Sequence, residues 1–228
     1  MPFLVDSVAA ELTREGRAIH LVAHPLFAVT RDESHQITFI HDLDVNEIKK
    51  GGTAESWMRI HIERDFISDD LSAVVAGLAR VLTDVRKAVN DWRAMRKKAI
   101  EVSGDLRSKP PVGIDQGDLD ESIALLDWLT QDSFTFVGYR EYDLVEVDGR
   151  DALHPVHGSG LGVLRTSDQQ DLLESVAVLP PASRARVREK SLLVLSKANS
   201  RSTVHRPAHL DYIGVKKFDA RGNVVGEQ

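Results

Sequence analysis

The 228-residue sequence contains no cysteine and no long apolar run. Without cysteine, disulfide bonds, thiolate zinc sites and cysteine nucleophiles are excluded. No apolar stretch approaches the roughly 20 residues that a helix needs to cross a bilayer, so we expect no membrane partner. A chain without cysteine fits the reducing cytosol, and we predict a cytoplasmic protein.

The sequence also lacks a surplus of basic residues. It holds 29 Lys and Arg against 35 Asp and Glu, a formal net charge of −6. Contacts to phosphate backbones need a basic surface, so we expect no nucleic-acid partner. The amino terminus has no basic segment, and Asp6, Glu11 and Glu15 interrupt its apolar residues. These residues therefore predict an amphipathic helix and not a signal peptide.

Residues 1–104 are predicted to form a first domain of helices and strands. Apolar residues at helical spacing predict an opening helix that ends near Gly16. Strands are predicted at 18–30, with a bend near Pro25, and at 37–41 and 56–63, with a loop over 42–55. An apolar stripe from residue 71 predicts a helix to about residue 102. Because one small sheet cannot cover so long a helix, we expect a break near Asn90–Asp91.

Residues 105–117 are predicted to link the first domain to a second over residues 118–228, because prolines and glycines cluster there. Asp118 and Glu121 predict the capped start of a helix, and an Asp148-Gly149 turn predicts a hairpin. A second helix is predicted at 168–177, and strands at 134–147, 190–205 and 209–218. A further strand after the turn at 219–222 would stay unpaired, and we expect both ends of the chain to be cuts within a longer protein. The fold class predicted is α+β.

Patterns typical of catalysis are not found in the sequence. His20 and His24 lie about 13 Å apart on a strand, too far to share a metal ion. His154 with His157, and His205 with His209, lack a matching carboxylate. The glycine segment 158–162 departs from the dinucleotide fingerprint and predicts a tight turn or close backbone packing. We therefore predict no catalytic residue, no metal and no cofactor bound by this chain.

A basic stretch leaves two interpretations open. Arg184, Arg186, Arg188 and Lys190 alternate along the chain. They form either a face for an anion or acidic partner, or a solvated flank before the next strand.

Several strings in the sequence are distinctive in combination. In chain order they are Pro2-Phe3-Leu4-Val5-Asp6-Ser7-Val8, Glu55-Ser56-Trp57-Met58, the Val89/Asp91-Trp92/Met95-Arg96 pattern, Leu126-Asp127-Trp128-Leu129, Phe134 to Tyr142, Gly158 to Gly162, Ser200 to Arg206, and Asp211 to Val215. The first string follows the initiating methionine and is the most distinctive. Together these strings resemble the N-terminal region of the large bacterial NAD-specific glutamate dehydrogenases.

The resemblance implies a role within a much larger enzyme. Members of that family oxidatively deaminate glutamate to 2-oxoglutarate with NAD and assemble as homo-oligomers, and their catalytic lysine and nucleotide fold lie further along the chain. Their N-terminal part resembles ACT-type modules followed by a PAS-like domain, fold types associated with small-molecule sensing and assembly. We therefore expect a non-catalytic regulatory and oligomerisation segment whose partners are other domains and subunits. A purely structural interaction module without a ligand is the alternative, and a small hydrolase using His and carboxylates is a third possibility.

The same resemblance implies a ligand site at the first helix. ACT modules hold amino acids at a loop–helix start, and the residues in that position are Pro2, Phe3, Leu4, Asp6 and Ser7. An amino-acid effector is the expected ligand, the alternative being a helix start packed on its neighbours with no ligand. The predicted elements suit a split βαβ unit whose first strand lies before residue 1, although no fourth strand follows the long helix.

Overall fold

The computed structural model describes residues 1–42, 48, 52–64, 71–165, 177–178 and 187–228. These residues form two compact units, Met1–Leu82 and Thr83–Gln228. The helices are α1 (Leu4–Arg14), α2 (Ser72–Ser108) and α3 (Gln116–Trp128), the last followed by a π-helical turn (Leu129–Ser133). The strands are β1 (Ile19–Ala23), β2 (Leu26–Arg31), β3 (Ile37–Asp42), β4 (Thr53–Ser56), β5 (Arg59–Ile62), β6 (Gly138–Tyr139), β7 (Tyr142–Val147), β8 (Arg150–Pro155), β9 (Leu161–Gly162), β10 (Ala177–Val178), β11 (Leu193–Arg201), β12 (His209–Phe218) and β13 (Val224–Glu227).

In the first unit, α1 and the first turns of α2 share a core with the antiparallel pair β1–β5. Val8, Leu12 and Val74 are its buried residues. The alternate β5 residues expected to face inward, Ile60 and Ile62, pack against them together with Met58. The alternation of polar and apolar residues in this strand therefore predicted its buried face correctly.

A second sheet of the first unit has the strand order β3-β2-β4. Ala28 and Val29 of the central strand are almost fully buried. The prediction of a loop over 42–55 is wrong at its end, because Thr53–Ser56 pairs with β2. This short strand, Thr-Ala-Glu-Ser, carries no apolar alternation that would reveal it. Residues 43–47 and 49–51 lie outside the described residues.

Helix α2 is continuous, and the predicted break near Asn90–Asp91 is wrong. At 1.5 Å per residue its 37 residues extend about 55 Å. Burial of the residues from Asp91 onward explains why the helix continues, because Asp91 and Met95 are both buried in the second unit. The two compact units divide at Leu82–Thr83, inside this helix. The predicted linker 105–117 overlaps both helices, since α2 ends at Ser108 and α3 begins at Gln116.

Helix α3 begins earlier than its sequence pattern indicates. The side chain of Asp115 accepts hydrogen bonds from the backbone N–H groups of Gly117, at 2.8 Å, and Asp118. The predicted cap formed by Asp118 and Glu121 is therefore wrong. The predicted apolar face is confirmed, since Leu119, Leu126 and Leu129 are buried in the core of the second unit.

The second unit contains a six-stranded antiparallel sheet with the order β10-β8-β7-β13-β12-β11. The β7–β8 hairpin turns at Asp148 and Gly149, both with positive φ as a tight two-residue turn requires. Strand β13 pairs with β12 on one side and β7 on the other, so the expectation of an unpaired final strand is wrong. The predicted strand over 134–147 is divided, because β6 pairs with β9 and β7 joins the main sheet. The predicted helix at 168–177 falls almost wholly outside the described residues.

The fold class is confirmed at the level of mixed helices and antiparallel sheets. None of the helices in the described part of the chain combines the length and apolar composition needed to cross a bilayer.

Candidate ligand-binding site

The predicted site residues at the start of α1 lie on one turn but differ in exposure. Phe3 precedes the helix with a positive φ of 65°, uncommon for a residue with a side chain. The backbone N–H of Ser7 donates to the Phe3 carbonyl at 3.0 Å. Ser7 is buried, Asp6 is exposed, and Phe3 and Leu4 are half-buried. Pro2 is exposed. The turn thus offers an accessible carboxylate at Asp6, while Ser7 faces the protein interior.

A buried carboxylate one turn further along α1 has an ion-pair role that the sequence did not reveal. Glu11 accepts hydrogen bonds from Arg14 Nε at 2.8 Å and from Arg80 Nη2 at 3.1 Å. The bond from Arg14 chiefly holds the pKa of Glu11 below its usual 4.5. A Cβ atom at Gly77 would lie 2.1 Å from Glu11 Oε1, so the glycine leaves room for the carboxylate. This group stays ionised and joins α1 to α2.

The second unit contains a partly open cavity of about 300 Å³. This volume is at the lower end of the range of small-molecule sites, about 300–1,000 Å³. Side chains of α2 and α3 form one side, and those of β6, β7, β11, β12 and the segments around them form the rest. The apolar and aromatic residues that line it include Met95, Ala99, Val102, Leu126, Leu129, Phe134, Phe136, Tyr139, Tyr142 and Tyr212.

A buried arginine lies in the wall of this cavity. Arg140, between β6 and β7, is 9% exposed. Its Nη2 donates a hydrogen bond to the backbone carbonyl of Leu164, and its Nε has no partner among the described residues. No described carboxylate pairs with Arg140. The catalytic and metal-binding patterns considered above gave no signal for this residue. Arg140 belongs to the Phe134 to Tyr142 string, but a single arginine within a predicted strand does not indicate a binding site.

Two tyrosines of the cavity wall are bonded to carboxylates. Tyr139 donates to Glu141 Oε1 at 3.1 Å, and Tyr212 donates to Glu227 Oε1 at 2.5 Å. Burial, reinforced by these carboxylates, raises the pKa of both phenols. Burial also raises the pKa of Glu227, against the hydrogen bond from Tyr212. The tyrosines are therefore neutral, and their O–H groups already have acceptors.

The glycine segment 158–162 is closely packed, as the sequence predicted. Gly162 has a φ of 61°, and a Cβ there would lie 2.3 Å from the Val137 carbonyl oxygen. A Cβ at Gly160 would lie 2.4 Å from the Leu164 carbonyl oxygen. That carbonyl is the acceptor for Arg140, so the glycines help position the arginine contact.

Metal-binding geometry is not seen in the part of the chain that the structure describes, where no three His, Asp or Glu side chains converge as metal ligands. Of the alternating basic residues, Arg184 and Arg186 lie outside the described residues. Arg188 pairs with Asp151, its Nε donating at 2.9 Å.

The chain is similar to known proteins over its whole length. Residues 1–78 match the family model of the glutamate dehydrogenase ACT1 domain. The whole chain is 35% identical to an NAD-specific glutamate dehydrogenase of Halomonas elongata and 34% identical to one of Pseudomonas aeruginosa. The chain matches the N-terminal region of the large NAD-specific glutamate dehydrogenases. A third such enzyme, from Mycobacterium tuberculosis, is 28% identical over 97% of the chain.

The chain spans 14% of the length of the Halomonas and Pseudomonas enzymes and 12% of the Mycobacterium enzyme. The resemblance read from the sequence strings is confirmed by these matches. Several of those strings meet around the cavity of the second unit, which receives residues from the Met95, Leu126, Phe134–Tyr142, Ser200 and Asp211–Val215 stretches.

Proposed function

We propose that this chain is a non-catalytic regulatory and oligomerisation segment of an NAD-dependent glutamate dehydrogenase. The parent reaction is the oxidative deamination of L-glutamate to 2-oxoglutarate and ammonia, with NAD bound by other parts of the enzyme. The proposal rests on the match of the entire chain to a short portion of enzymes named for this activity. As part of a metabolic enzyme, the segment is assigned to the cytoplasm.

Within this proposal, the first unit is an ACT-like domain and the second a PAS-like sheet domain. The family match over residues 1–78 supports the first assignment. The antiparallel sheet of the second unit, with α2 and α3 residues sharing its core, supports the second.

The amino-acid effector is assigned to the start of α1, at Pro2, Phe3, Leu4, Asp6 and Ser7. In this proposal the exposed Asp6 carboxylate would pair with the ammonium group of an amino acid. Because Ser7 is buried, its side chain would form the floor of such a site and not its rim.

The catalytic part of the proposal is tested with the isolated chain. Mixed with L-glutamate and NAD, it should form no NADH, measured by absorbance, whereas a full-length relative should. Glutamate-dependent NADH formation by this chain would overturn the assignment as a non-catalytic segment.

The effector part is tested by a thermal-shift screen of the common amino acids at millimolar concentration. A ligand at 100 times its dissociation constant stabilises a protein by about 2.7 kcal/mol, which is readily measured. Asp6→Asn should abolish the shift, and Glu33→Gln, at an exposed acidic residue of the β2–β3 turn, should leave it unchanged. A flat response to every amino acid would remove the effector from the proposal while leaving the assignment to the enzyme intact.

A purely structural interaction module is the second candidate, and an exposed apolar strand favours it. Ile37, Phe39 and Ile40 on the edge strand β3 are 41%, 58% and 43% exposed. A module that binds another copy or another domain would bury these side chains. Light scattering should then show concentration-dependent association that Phe39→Asp removes, while Val112→Asp, at an exposed apolar residue of the second unit, retains it. A monomer at all concentrations would count against self-association.

A further inference from the structure

The cavity of the second unit combines an apolar wall with a buried positive charge. A guanidinium stays protonated at any pH that a folded protein tolerates, so Arg140 is a cation at that wall. Buried charges in proteins are normally paired, because removing an ion from water is costly. Among the described residues, Arg140 has a single hydrogen bond, to the neutral carbonyl of Leu164. The protein thus leaves a buried cation without a described counter-charge in the wall of this cavity.

We propose that this cavity binds a small carboxylic acid with an apolar body, whose carboxylate pairs with Arg140. The carboxylate would supply the missing negative charge, and charge-assisted hydrogen bonds of this kind are roughly twice as strong as neutral ones. The apolar body would lie against the side chains contributed by α2 and α3, among them Met95, Ala99 and Leu126. This site is separate from the effector site assigned to α1.

The polar groups of the wall favour an acid without an amino group. An ammonium needs a carboxylate, and among the described lining residues the carboxylate side chain is that of Asp211. Asp211 is already paired with Lys197 at 2.5 Å and is 55% exposed. Glu141 and Glu227 already accept hydrogen bonds from Tyr139 and Tyr212. A simple or 2-oxo acid therefore fits better than the corresponding amino acid.

The need for a negative charge on the ligand is tested by calorimetry on the whole chain. The probes have the same phenyl group and carbon skeleton and differ in their charged groups. Phenylpropionate and phenylpyruvate should bind, the neutral phenylpropionamide should bind at least tenfold more weakly, and phenylalanine should bind more weakly than either acid. Equal binding of the acid and its amide would overturn the proposal, and so would an absence of binding by both acids at millimolar concentration. Tighter binding of phenylalanine than of phenylpropionate would overturn the preference for an unaminated acid.

Variants locate the site. Arg140→Met should weaken phenylpropionate binding at least tenfold, while Arg150→Met, at an exposed arginine of the β7–β8 hairpin, should leave binding unchanged. If Arg140→Met does not fold, as judged by circular dichroism, Ala99→Leu serves instead, because it fills the cavity from α2 and leaves the arginine in place. If the folded cavity variant still binds phenylpropionate as tightly as the native chain, the acid binds elsewhere and the proposal is overturned. The effector screen with Asp6→Asn fails or succeeds independently of these results.

Discussion

The backbone N–H of Gly162 donates a 2.8 Å hydrogen bond to the carboxylate of Asp91. Arg165 pairs with the same carboxylate, its Nε donating at 3.0 Å. Asp91 is 6% exposed, so helix α2 holds strand β9 through a largely buried acceptor. The contact explains why an acidic residue is buried in the middle of α2, because Asp91 accepts the hydrogen bond from Gly162 of the glycine segment.

Replacement of Asp91 by Ala should destabilise the protein by about 1–3 kcal/mol, the cost of leaving a buried N–H without an acceptor. Asp91→Asn should lose less stability, because the amide oxygen of asparagine can still accept the hydrogen bond from Gly162. Urea denaturation measures both, with Asp105→Ala, at an exposed position of the same helix, as the control. A loss no larger for Asp91→Ala than for Asp105→Ala would contradict the role of this contact.

Gly162→Ala should cost about 2–4 kcal/mol, since a side chain there is strained by the positive φ and meets the Val137 carbonyl. Gly104→Ala is the matched control. Gly104 lies inside α2 with nothing within 4 Å of a new Cβ, so alanine should stabilise by about 0.5–1 kcal/mol. The two changes should move the thermal midpoint in opposite directions, and a shift of the same sign would refute the packing argument.

Asp115→Ala should lower stability by about 0.5–2 kcal/mol, the usual cost of removing a helix N-cap. Asp118→Ala should lose only the interaction of a carboxylate with the helix dipole, about 0.3–1 kcal/mol. Asp115→Asn should retain most of the stability, since asparagine also caps helices. Chemical denaturation of the three variants gives the order, and a larger loss at Asp118 would restore the cap predicted from the sequence.

Glu11 predicts a pH dependence of the first unit. Its folded pKa is lower than the unfolded value of 4.5, so its ion pairs stabilise the fold fully above pH 4.5. That contribution is lost as the pH falls from 4.5 through the folded pKa. The stability difference between the native chain and Glu11→Gln should therefore be constant from pH 6 to pH 8 and shrink in acid. Urea midpoints of both proteins, measured from pH 8 down into acid, provide the test. A stability difference that grew in acid would contradict the role of Glu11.

The elements of the fold were largely predictable because their signals are local. Helix α1, the β7–β8 turn and the buried face of β5 each follow from apolar spacing or from a two-residue turn motif. The errors arise where distant contacts decide. Helix α2 continues through Asn90 and Asp91 because Gly162 and Arg165 supply partners for Asp91, which lie more than 70 residues away along the chain.

The cavity was not predictable for the same reason. Arg140 becomes a buried cation only when β6, β7 and the Leu164 turn come together, and its sequence neighbours give no indication of burial. By contrast, the position of Pro2–Ser7 at a helix start was predictable from the sequence, although the opposite exposure of Asp6 and Ser7 required the packing of α1.

The position of β13 has a consequence for biosynthesis. Residues 224–227 lie between β7 and β12, so the six-stranded sheet has a gap until they are in place. During synthesis on a ribosome, β7 and β12 emerge before β13, and the edges that will pair with it stay without hydrogen-bond partners in the sheet until then. Exposed strand edges readily pair with other chains, and nascent proteins are prone to such errors. Until residue 227 has left the ribosome, the second unit therefore exposes two strand edges with which other chains could pair.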